Sequence, residues 1–386
     1  MSSTLKVNNI TDAAVANGNA ITLATDGTCT AKITNNLSNR NKIINGAMRV
    51  SQRNGTSAVQ LSASEQWFID RWENDTGSSF DMKCDASQSS EAPEGFANSM
   101  KFDCDGVSAV SGSHNGLICT HLEGQDLQDL KFGTSNAEDI TLSFYAKSGS
   151  QNNGHVYGIF LGAYLNGTRN AQTKGFTVTS SWQRFTMTFA GTGTAQSTAI
   201  NNNNQKGLQV AFSLAVGPDD DENYSTWTAN SNLLGFTGQD NFFDHVDNEL
   251  YITGVQLEVG DTATDFEHRS FGDDLLKCLR YYWKAGHDFG GDYPMGLGNT
   301  FYSGTRHSIG FITPVPMRAS PSISDTGDSC RVYGQGTYKD VTSYTDIGIS
   351  GPYVRFVAHS SDLGDDNHAC HLSNRTNSGI VMSAEL

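Results

Sequence analysis

The sequence predicts an all-β protein with an N-terminal hairpin segment, an antiparallel β-sandwich of the jelly-roll kind, a short linking helix and a C-terminal β domain. The first indication is a series of strand-like runs between residues 41 and 270, most with apolar side chains at every second position. The second is composition: 40 glycines, 7 prolines, 20 Phe, 13 Tyr and 5 Trp are typical of packed short strands joined by tight turns.

Length and charge limit the domain number and the partners. A chain of 386 residues is long enough for two or three domains, each with its own core. A formal charge of −16 without any Lys/Arg cluster argues against binding to nucleic acid or to anionic lipid surfaces. We expect no membrane insertion and no export, because no apolar run reaches about 18 residues and the N-terminus lacks an apolar signal. Seven cysteines, scattered singly, make a disulfide framework improbable and suit a reducing cytoplasm.

Residues 1–40 are predicted to be a separate segment. Within it, ITLATDGTCTAKIT alternates apolar and polar positions on both sides of Asp26-Gly27, a dipeptide that favours a type I′ hairpin turn. A lone hairpin is only marginally stable in water, so we expect another chain or a neighbouring protein to cover it. The alternative is a terminus that frays.

Residues 41–269 are predicted to form the sandwich. Their strand-like runs follow one another without an intervening helical pattern, which requires two antiparallel sheets packed face to face. In GLQVAFSLAV, for example, Leu208, Val210 and Phe212 lie two apart and therefore share one face of a strand. Each such run offers one apolar face to a common core.

The last part of the chain is predicted to be a helix followed by a smaller β domain. In 270–285, Phe271, Leu275 and Cys278 recur at helical spacing after Ser270, a residue type that caps helix N-termini. Residues 286–386 return to short strands and turns rich in Gly, Ser and Asp. No period of 20 to 50 residues repeats, which disfavours a parallel β-helix or a propeller.

Five segments, of which the first two belong to one opening motif, resemble proteins of phage tails. NKIINGAMRVSQRNGTS at 41–57 and WFIDRW at 67–72 look like the opening of a jelly-roll domain that is widespread in phage tail-fibre and tail-spike proteins. LYITGVQLEVGDTATDFEHRSFGDDLLKCLRYYWK at 250–284 resembles its closing strand, exit loop and linking helix. VPMRASPSIS at 315–324 resembles the opening of their C-terminal β domain, and STLKVNNI at 3–10 resembles the N-terminal segment of marine-phage fibre proteins.

The resemblance implies a virion-attached tail fibre or spike, made in the host cytoplasm. Residues 1–40 would dock to virion tail or baseplate proteins, the sandwich would be carbohydrate-binding-module-like, and 286–386 would face the host and bind a surface polysaccharide without catalysis. Such proteins are usually homotrimers, which would also cover the hairpin. Two alternatives stay open: a glycan depolymerase in the same location, and a capsid-decorating structural protein with no receptor role.

The loop PDDDENYSTW supplies the candidate ligand-binding residues. Tyr224 and Trp227 are aromatics in a polar loop, and sugars bind by stacking their apolar faces on such rings. A loop aromatic also commonly folds back to plug the end of a sandwich. Both interpretations remain open for these two residues.

The same loop contains the candidate metal ligands. Asp219, Asp221 and Asn223 have the alternate spacing of a calcium loop, so a structural calcium is the cofactor to test. Two positions depart from the EF-hand pattern, because Tyr224 stands where Gly is needed and Asn230 where the bidentate Glu belongs. A solvated acidic turn is the alternative that we favour.

Two further groups are interpreted as structural. Gln256 and Glu258 share a sheet face opposite to that of Val255 and Leu257, and we expect them to point inward, where polar residues of a sandwich normally satisfy buried backbone or a structural cation. Asp70 and Arg71 in FIDRW are expected to form an internal pair.

The histidines near the C-terminus are the last candidates. His368, Cys370 and His371 are zinc-ligand types but lack a second matching pair, which favours the interpretation that they are exposed loop residues.

The sequence shows no recognisable catalytic motif. No nucleophile elbow is present, and the two carboxylates of a glycosidase could lie anywhere among the 41 acidic residues.

Overall fold

The computed structural model describes residues 9–11, 19–23, 29–31, 39–77, 80–193, 198–229, 234–286, 293–326, 328–364, 366–375 and 379–386. Antiparallel sheets make up nearly all of its regular structure, with one short α-helix and two 3-10 helices, so the predicted all-β class is confirmed. No helix of the described ranges is both long and apolar enough to cross a membrane.

The N-terminal segment contains a small three-stranded sheet. Its strands are β1 (Asn9–Thr11), β2 (Asn19–Leu23) and β3 (Cys29–Ala31). The pairing of β2 with β3, with Leu23 opposite Cys29, is the predicted hairpin, and β1 adds a third strand. The predicted turn residues Asp26 and Gly27 lie outside the described residues.

The central domain is a β-sandwich. Its strands are β4 (Val59–Leu61), β5 (Gln66–Ile69), β6 (Trp72–Gly77), β7 (Cys84–Ser89), β8 (Ser99–Cys104), β9 (Asn115–Glu123), β10 (Ile140–Ser148), β11 (Val156–Leu165), β12 (Thr168–Thr177), β13 (Gln183–Phe189), β14 (Lys206–Val216), β15 (Thr228–Ala229) and β16 (Glu249–Val259). The 3-10 helices are Gly124–Leu130 and Phe242–Asp244. One sheet has the order β13-β10-β16-β8-β7-β4 and the other β15-β12-β11-β14-β9-β6-β5. The chain crosses repeatedly from one sheet to the other, as in a jelly roll.

The two sheets enclose a core rich in aromatic rings. Phe144 and Phe212, from opposite sheets, meet edge to face with ring centroids 5.0 Å apart. Strand β9 illustrates the alternation, because Ile118 and Leu122 belong to this core whereas Cys119 packs in a smaller cluster on the other side of the sheet. The loop after β14 covers that other side, where Leu234 contributes to the smaller cluster. Both faces of the seven-stranded sheet are therefore buried along its middle strands.

The linking helix is shorter than predicted. Helix α1 spans Phe271–Leu279, and the Ser270 side chain accepts a hydrogen bond from the Asp273 amide at 3.1 Å, as a capping residue should. The residues that the helical spacing assigned to its last turn instead form strand β17 (Tyr282–Ala285). Pairing with the C-terminal strand and the high β propensity of aromatic residues outweigh the helical pattern here.

The C-terminal domain combines a closed barrel with a small sheet. After β17, its strands are β18 (Pro294–Phe301), β19 (Arg306–Ile312), β20 (Ser322–Thr326), β21 (Arg331–Gly334), β22 (Thr337–Ser350), β23 (Tyr353–Ser360), β24 (Ala369–Ser373) and β25 (Gly379–Ser383). The barrel order is β18-β19-β23-β22-β21-β24, and the small sheet has the order β17-β25-β20. Val332, Phe356 and Leu372 are fully buried inside the barrel.

Buried ion pairs join the sandwich to the C-terminal domain. The Arg71 side chain, only 1% exposed, pairs with Glu385 and lies 3.6 Å from the centre of the Tyr281 ring. Glu123 has no exposed surface and accepts hydrogen bonds from Arg280 at 2.6 and 2.8 Å and from the Tyr281 hydroxyl at 2.6 Å. The segments WFIDRW and LRYYWK, which carry the resemblance to phage fibre proteins, therefore contact each other at this interface.

Candidate functional site

The exposed apolar surface is concentrated on the C-terminal domain. Of the twelve large apolar side chains that the described residues expose, seven belong to this domain. They are Tyr293, Leu297, Tyr302, Ile312, Tyr338, Ile349 and Tyr353. Leu297 and Ile312 are 75% and 76% exposed, which is unusual for strand residues with buried neighbours.

A groove lies where the barrel wall meets strand β17. It has a volume of about 760 Å³ and is lined by aromatic, aliphatic and glycine residues. The lining residues are Trp283, Ala285, Gly286, Pro294, Met295, Gly296, Leu297, Gly310, Phe311, Ile312 and Tyr353. The volume falls in the range of about 300–1,000 Å³ that is typical of small-ligand sites.

Cross-strand register determines which side chains meet on the barrel side of the groove. Leu297 on β18 lies opposite Gly310 on β19, and Ile312 lies opposite Tyr353 on β23. A Cβ atom at position 310 would lie 2.4 Å from the Tyr353 hydroxyl oxygen, so only glycine leaves this space to the tyrosine. Trp283 forms the other wall and packs edge to face on Phe311, with ring centroids 5.7 Å apart.

Polar groups border the groove. Arg355 lies opposite Gly310 on β23, is exposed, and donates a hydrogen bond to the Ser308 hydroxyl at 2.9 Å. The guanidinium and the Tyr353 hydroxyl can bind hydroxyl or carboxylate groups of a ligand whose apolar face rests on the rings. No carboxylate is among the groove-lining residues in the part of the chain that the structure describes. The arrangement suits binding of a ring-shaped, partly polar molecule.

The two aromatic residues predicted for sugar stacking are placed differently from each other. Trp227 is 6% exposed, contacts Phe132 edge to face, and donates its indole N–H to the Ala190 carbonyl at 2.5 Å. Its ring is part of the sandwich core, which agrees with the alternative that this loop aromatic folds back onto the end of the sandwich. Tyr224 is half-buried against the outer side of the seven-stranded sheet, and its hydroxyl donates to Glu222. Neither residue lines the groove.

The predicted calcium ligands serve the folding of their own loop. The Asn223 side-chain oxygen accepts the Thr237 amide at 3.0 Å, and the Asp221 carbonyl accepts the Thr237 hydroxyl at 2.7 Å. Asp219 is exposed, and its amide donates to the Gly112 carbonyl at 3.1 Å. The predicted counterpart Asn230 lies outside the described residues. The favoured interpretation as a solvated acidic turn and the alternative of a calcium loop both stay untested.

A different group of potential metal ligands comes together inside the sandwich. Among the His, Cys, Asp and Glu side chains of the described ranges, those of Glu73, Cys119 and His121 offer ligand atoms within 4.8 Å of one another. Burial raises the pKa of Glu73 to about 8 and lowers that of His121 well below its usual value. Without an ion, these two groups are therefore neutral near pH 7.

The structural interpretation of Gln256 and Glu258 is confirmed. Their expected inward direction was wrong, because Val255 and Leu257 face the core and put these two residues on the outer side of the six-stranded sheet, where the exit loop of the sandwich covers them. Glu258 accepts the Thr264 amide at 2.9 Å, and the Gln256 side-chain oxygen accepts the Glu267 amide at 2.8 Å. They hold this loop against the sheet.

The expected pair between Asp70 and Arg71 was wrong. Asp70 accepts hydrogen bonds from the backbone and side chain of Gln52, both at 2.6 Å, whereas Arg71 pairs with Glu385. Arg71 has a φ of 71°. A left-handed residue follows neither helix nor strand geometry, so neighbours in sequence diverge there.

The interpretation of His368, Cys370 and His371 as loop residues was wrong in part. Only His368 precedes strand β24, which contains the other two. Cys370 is buried in the barrel core, and His371 is half-buried on the outer side. Neighbouring residues of a strand point to opposite faces, so these two side chains cannot share a metal ion.

Sequence reasoning missed the groove because its residues come from four strands. One signal was available: in GPYVRFVAH the inward residues Val354 and Phe356 alternate with Tyr353, which places a tyrosine on the outer face. Which residues lie next to that tyrosine depends on the register between distant strands, and this register could not be predicted from a single sequence.

Comparisons with known proteins match a little over half of the chain to solved structures. No family model and no curated protein matches. The enzymatically active domain of tailspike protein 4 of bacteriophage CBA120 matches with TM-score 0.31 and 11% identity, covering 57% of this chain and 21% of that one. A putative sugar binding protein from Bacteroides thetaiotaomicron matches with TM-score 0.32 and 12% identity, covering 57% and 99%. A family 11 carbohydrate-binding module from Clostridium thermocellum matches with TM-score 0.28 and 12% identity, covering 56% and 100%. The chain thus spans about a fifth of the tailspike domain, and similarities this distant do not assign a function.

Proposed function

We propose that this chain is a non-catalytic attachment protein of a phage virion that binds a host-surface glycan in the groove of its C-terminal domain. Residues 1–40 dock to tail or baseplate proteins, and three copies assemble into a fibre or spike. The observation that carries the proposal is the groove between Trp283 and Tyr353, an exposed site of ligand size with aromatic walls and a guanidinium at its border.

The physical chemistry of the groove fits a sugar better than a flat apolar molecule. Tyr353 is 46% exposed, so part of its ring is available to the C–H face of a pyranose. The exposed Arg355 side chain next to it can donate hydrogen bonds to hydroxyl or carboxylate groups of the sugar. A single groove of this kind binds weakly, but three copies on one fibre and many fibres on one particle give high avidity.

Replacing Tyr353 with alanine is expected to weaken glycan binding by about tenfold or more, because the variant loses the stacking surface. Binding is measured with the full chain on an array of bacterial surface polysaccharides and oligosaccharides. Tyr338→Ala is the matched control, since Tyr338 is 39% exposed on the same barrel but does not line the groove.

Two outcomes would contradict the proposal. Equal binding by both tyrosine variants would place the glycan elsewhere, and reducing ends released from a bound polysaccharide would identify a depolymerase. The same protein samples serve for the binding comparison and for the assay of released reducing ends.

A further inference from the structure

Three donor side chains of different chemistry lie on one side of two paired strands. Glu73 on β6 is directly opposite Cys119 on β9, and His121 follows two residues later on the same face. Gln209 on β14 lies opposite His121. This side faces away from the sandwich core and is closed over by the chain, so Glu73 and His121 are only 4% and 2% exposed and Cys119 has no exposed surface.

The spacing of the donor atoms matches the first coordination sphere of a tetrahedral ion. Glu73 Oε1 lies 3.1 Å from His121 Nδ1 and 3.8 Å from Cys119 Sγ. In a tetrahedral zinc site, metal–ligand bonds of about 2.0–2.3 Å place neighbouring ligand atoms roughly 3.3–3.6 Å apart. The two separations lie about 0.2 Å below and above this range, so small side-chain movements are enough to bring these donor atoms to tetrahedral spacing.

The same cluster has hydrogen-bonding groups with no partner. Neither ring nitrogen of His121 makes a hydrogen bond, although Nδ1 is close to Glu73, and the side-chain oxygen of Gln209 is also unpaired. A buried polar group left in this way destabilises the fold, because it has lost its hydrogen bonds to water. His121 and Gln209 lie beside the Glu73–Cys119 pair, and a bound cation would use one imidazole nitrogen and the amide oxygen as ligands there.

We propose that Glu73, Cys119 and His121 bind a divalent transition metal ion, with zinc as the ion whose preference matches this donor set. Carboxylate, thiolate and imidazole are all zinc ligands, and zinc with one thiolate and one carboxylate forms an electrically neutral unit suited to burial. Gln209, the cross-strand partner of His121, is the candidate that we propose for the fourth ligand position.

A bound ion would tie the sandwich to the interface with the C-terminal domain. Arg71, which pairs with Glu385, also donates a hydrogen bond to the backbone carbonyl of His121. Glu123, the partner of Arg280, is two residues further along β9. A metal ion that links β6 to β9 therefore stiffens this strand pair. Arg71 directly precedes β6 and Glu123 ends β9, so both interdomain ion pairs lie next to the linked strands.

The test measures metal in the full chain. The protein is expressed with added zinc, dialysed against a metal-free buffer, and analysed by mass spectrometry for bound metals. It is also refolded with Co²⁺, for which a thiolate ligand gives a charge-transfer band. We expect one ion per chain and a thiolate–cobalt band, both lost in Cys119→Ser and retained in Cys104→Ser, whose buried thiol in the same sandwich is not part of the cluster.

Three results would overturn the proposal: wild-type protein that holds no stoichiometric zinc after expression with added zinc, cobalt-refolded protein without the thiolate band, or a zinc content in Cys119→Ser equal to that of wild type. If Cys119→Ser does not fold, the cobalt spectrum of the wild-type chain alone decides whether a cysteine is a ligand.

Discussion

Replacing Glu385 with alanine is expected to lower the free energy of unfolding by about 3–5 kcal/mol, because it leaves the buried Arg71 guanidinium without its counter-ion. A second guanidinium is affected, since Arg53 also pairs with Glu385 at 2.7 Å. Urea unfolding followed by circular dichroism measures the change. Asp340→Ala is the control: it removes an exposed ion pair with Arg331 and should change stability by less than about 1 kcal/mol.

A loss of stability in Glu385→Ala no greater than in the control would contradict this account of the interface. It would mean that Arg71 finds another partner or becomes hydrated when the C-terminal residues move.

Glu123→Gln is expected to cost about 3 kcal/mol at pH 7, because the neutral amide cannot replace the charge-assisted hydrogen bonds from Arg280 and Tyr281. The effect depends on pH. Burial alone would raise the pKa of Glu123, but the hydrogen bonds from Arg280 and Tyr281 outweigh it and keep this pKa below its ordinary value. A carboxylate with a lowered native pKa stabilises the fold above its unfolded pKa of about 4.3, and this contribution disappears as the pH falls.

Thermal unfolding of wild type and Glu123→Gln at pH 7 and pH 3.5 checks both statements. The difference in melting temperature between the two proteins should shrink at the lower pH. Glu138→Gln serves as the control, since Glu138 forms an exposed pair with Lys131 at 2.6 Å and should differ little from wild type at either pH. A difference that grows on acidification would contradict the assignment.

Local patterns predicted the strands well, and long-range contacts limited the rest. The alternation of Leu208, Val210 and Phe212 identified β14 because one side of that strand faces a core, which is a property of the strand itself. The end of α1 was wrong because Tyr282 and its neighbours pair with β25 about a hundred residues later, and this pairing overrides the helical spacing.

The candidate sites were harder to predict for the same reason. The sequence left two interpretations of Trp227, and only the position of Phe132 and the Ala190 carbonyl distinguishes a core residue from a sugar platform. Arg71 was paired with its sequence neighbour, whereas its partner Glu385 is 314 residues away. Such contacts follow from domain packing, which a single sequence does not specify locally.

The groove of the C-terminal domain is tested most directly by tryptophan fluorescence during titration of the full chain with an oligosaccharide that the array identifies. Trp283 lines the groove, so we expect a saturable change in emission with wild-type protein. In Trp283→Phe, which keeps an aromatic wall, we expect binding to persist without that change. Saturable binding that leaves wild-type emission unchanged, or an unchanged response in Trp283→Phe, would contradict glycan recognition at this site.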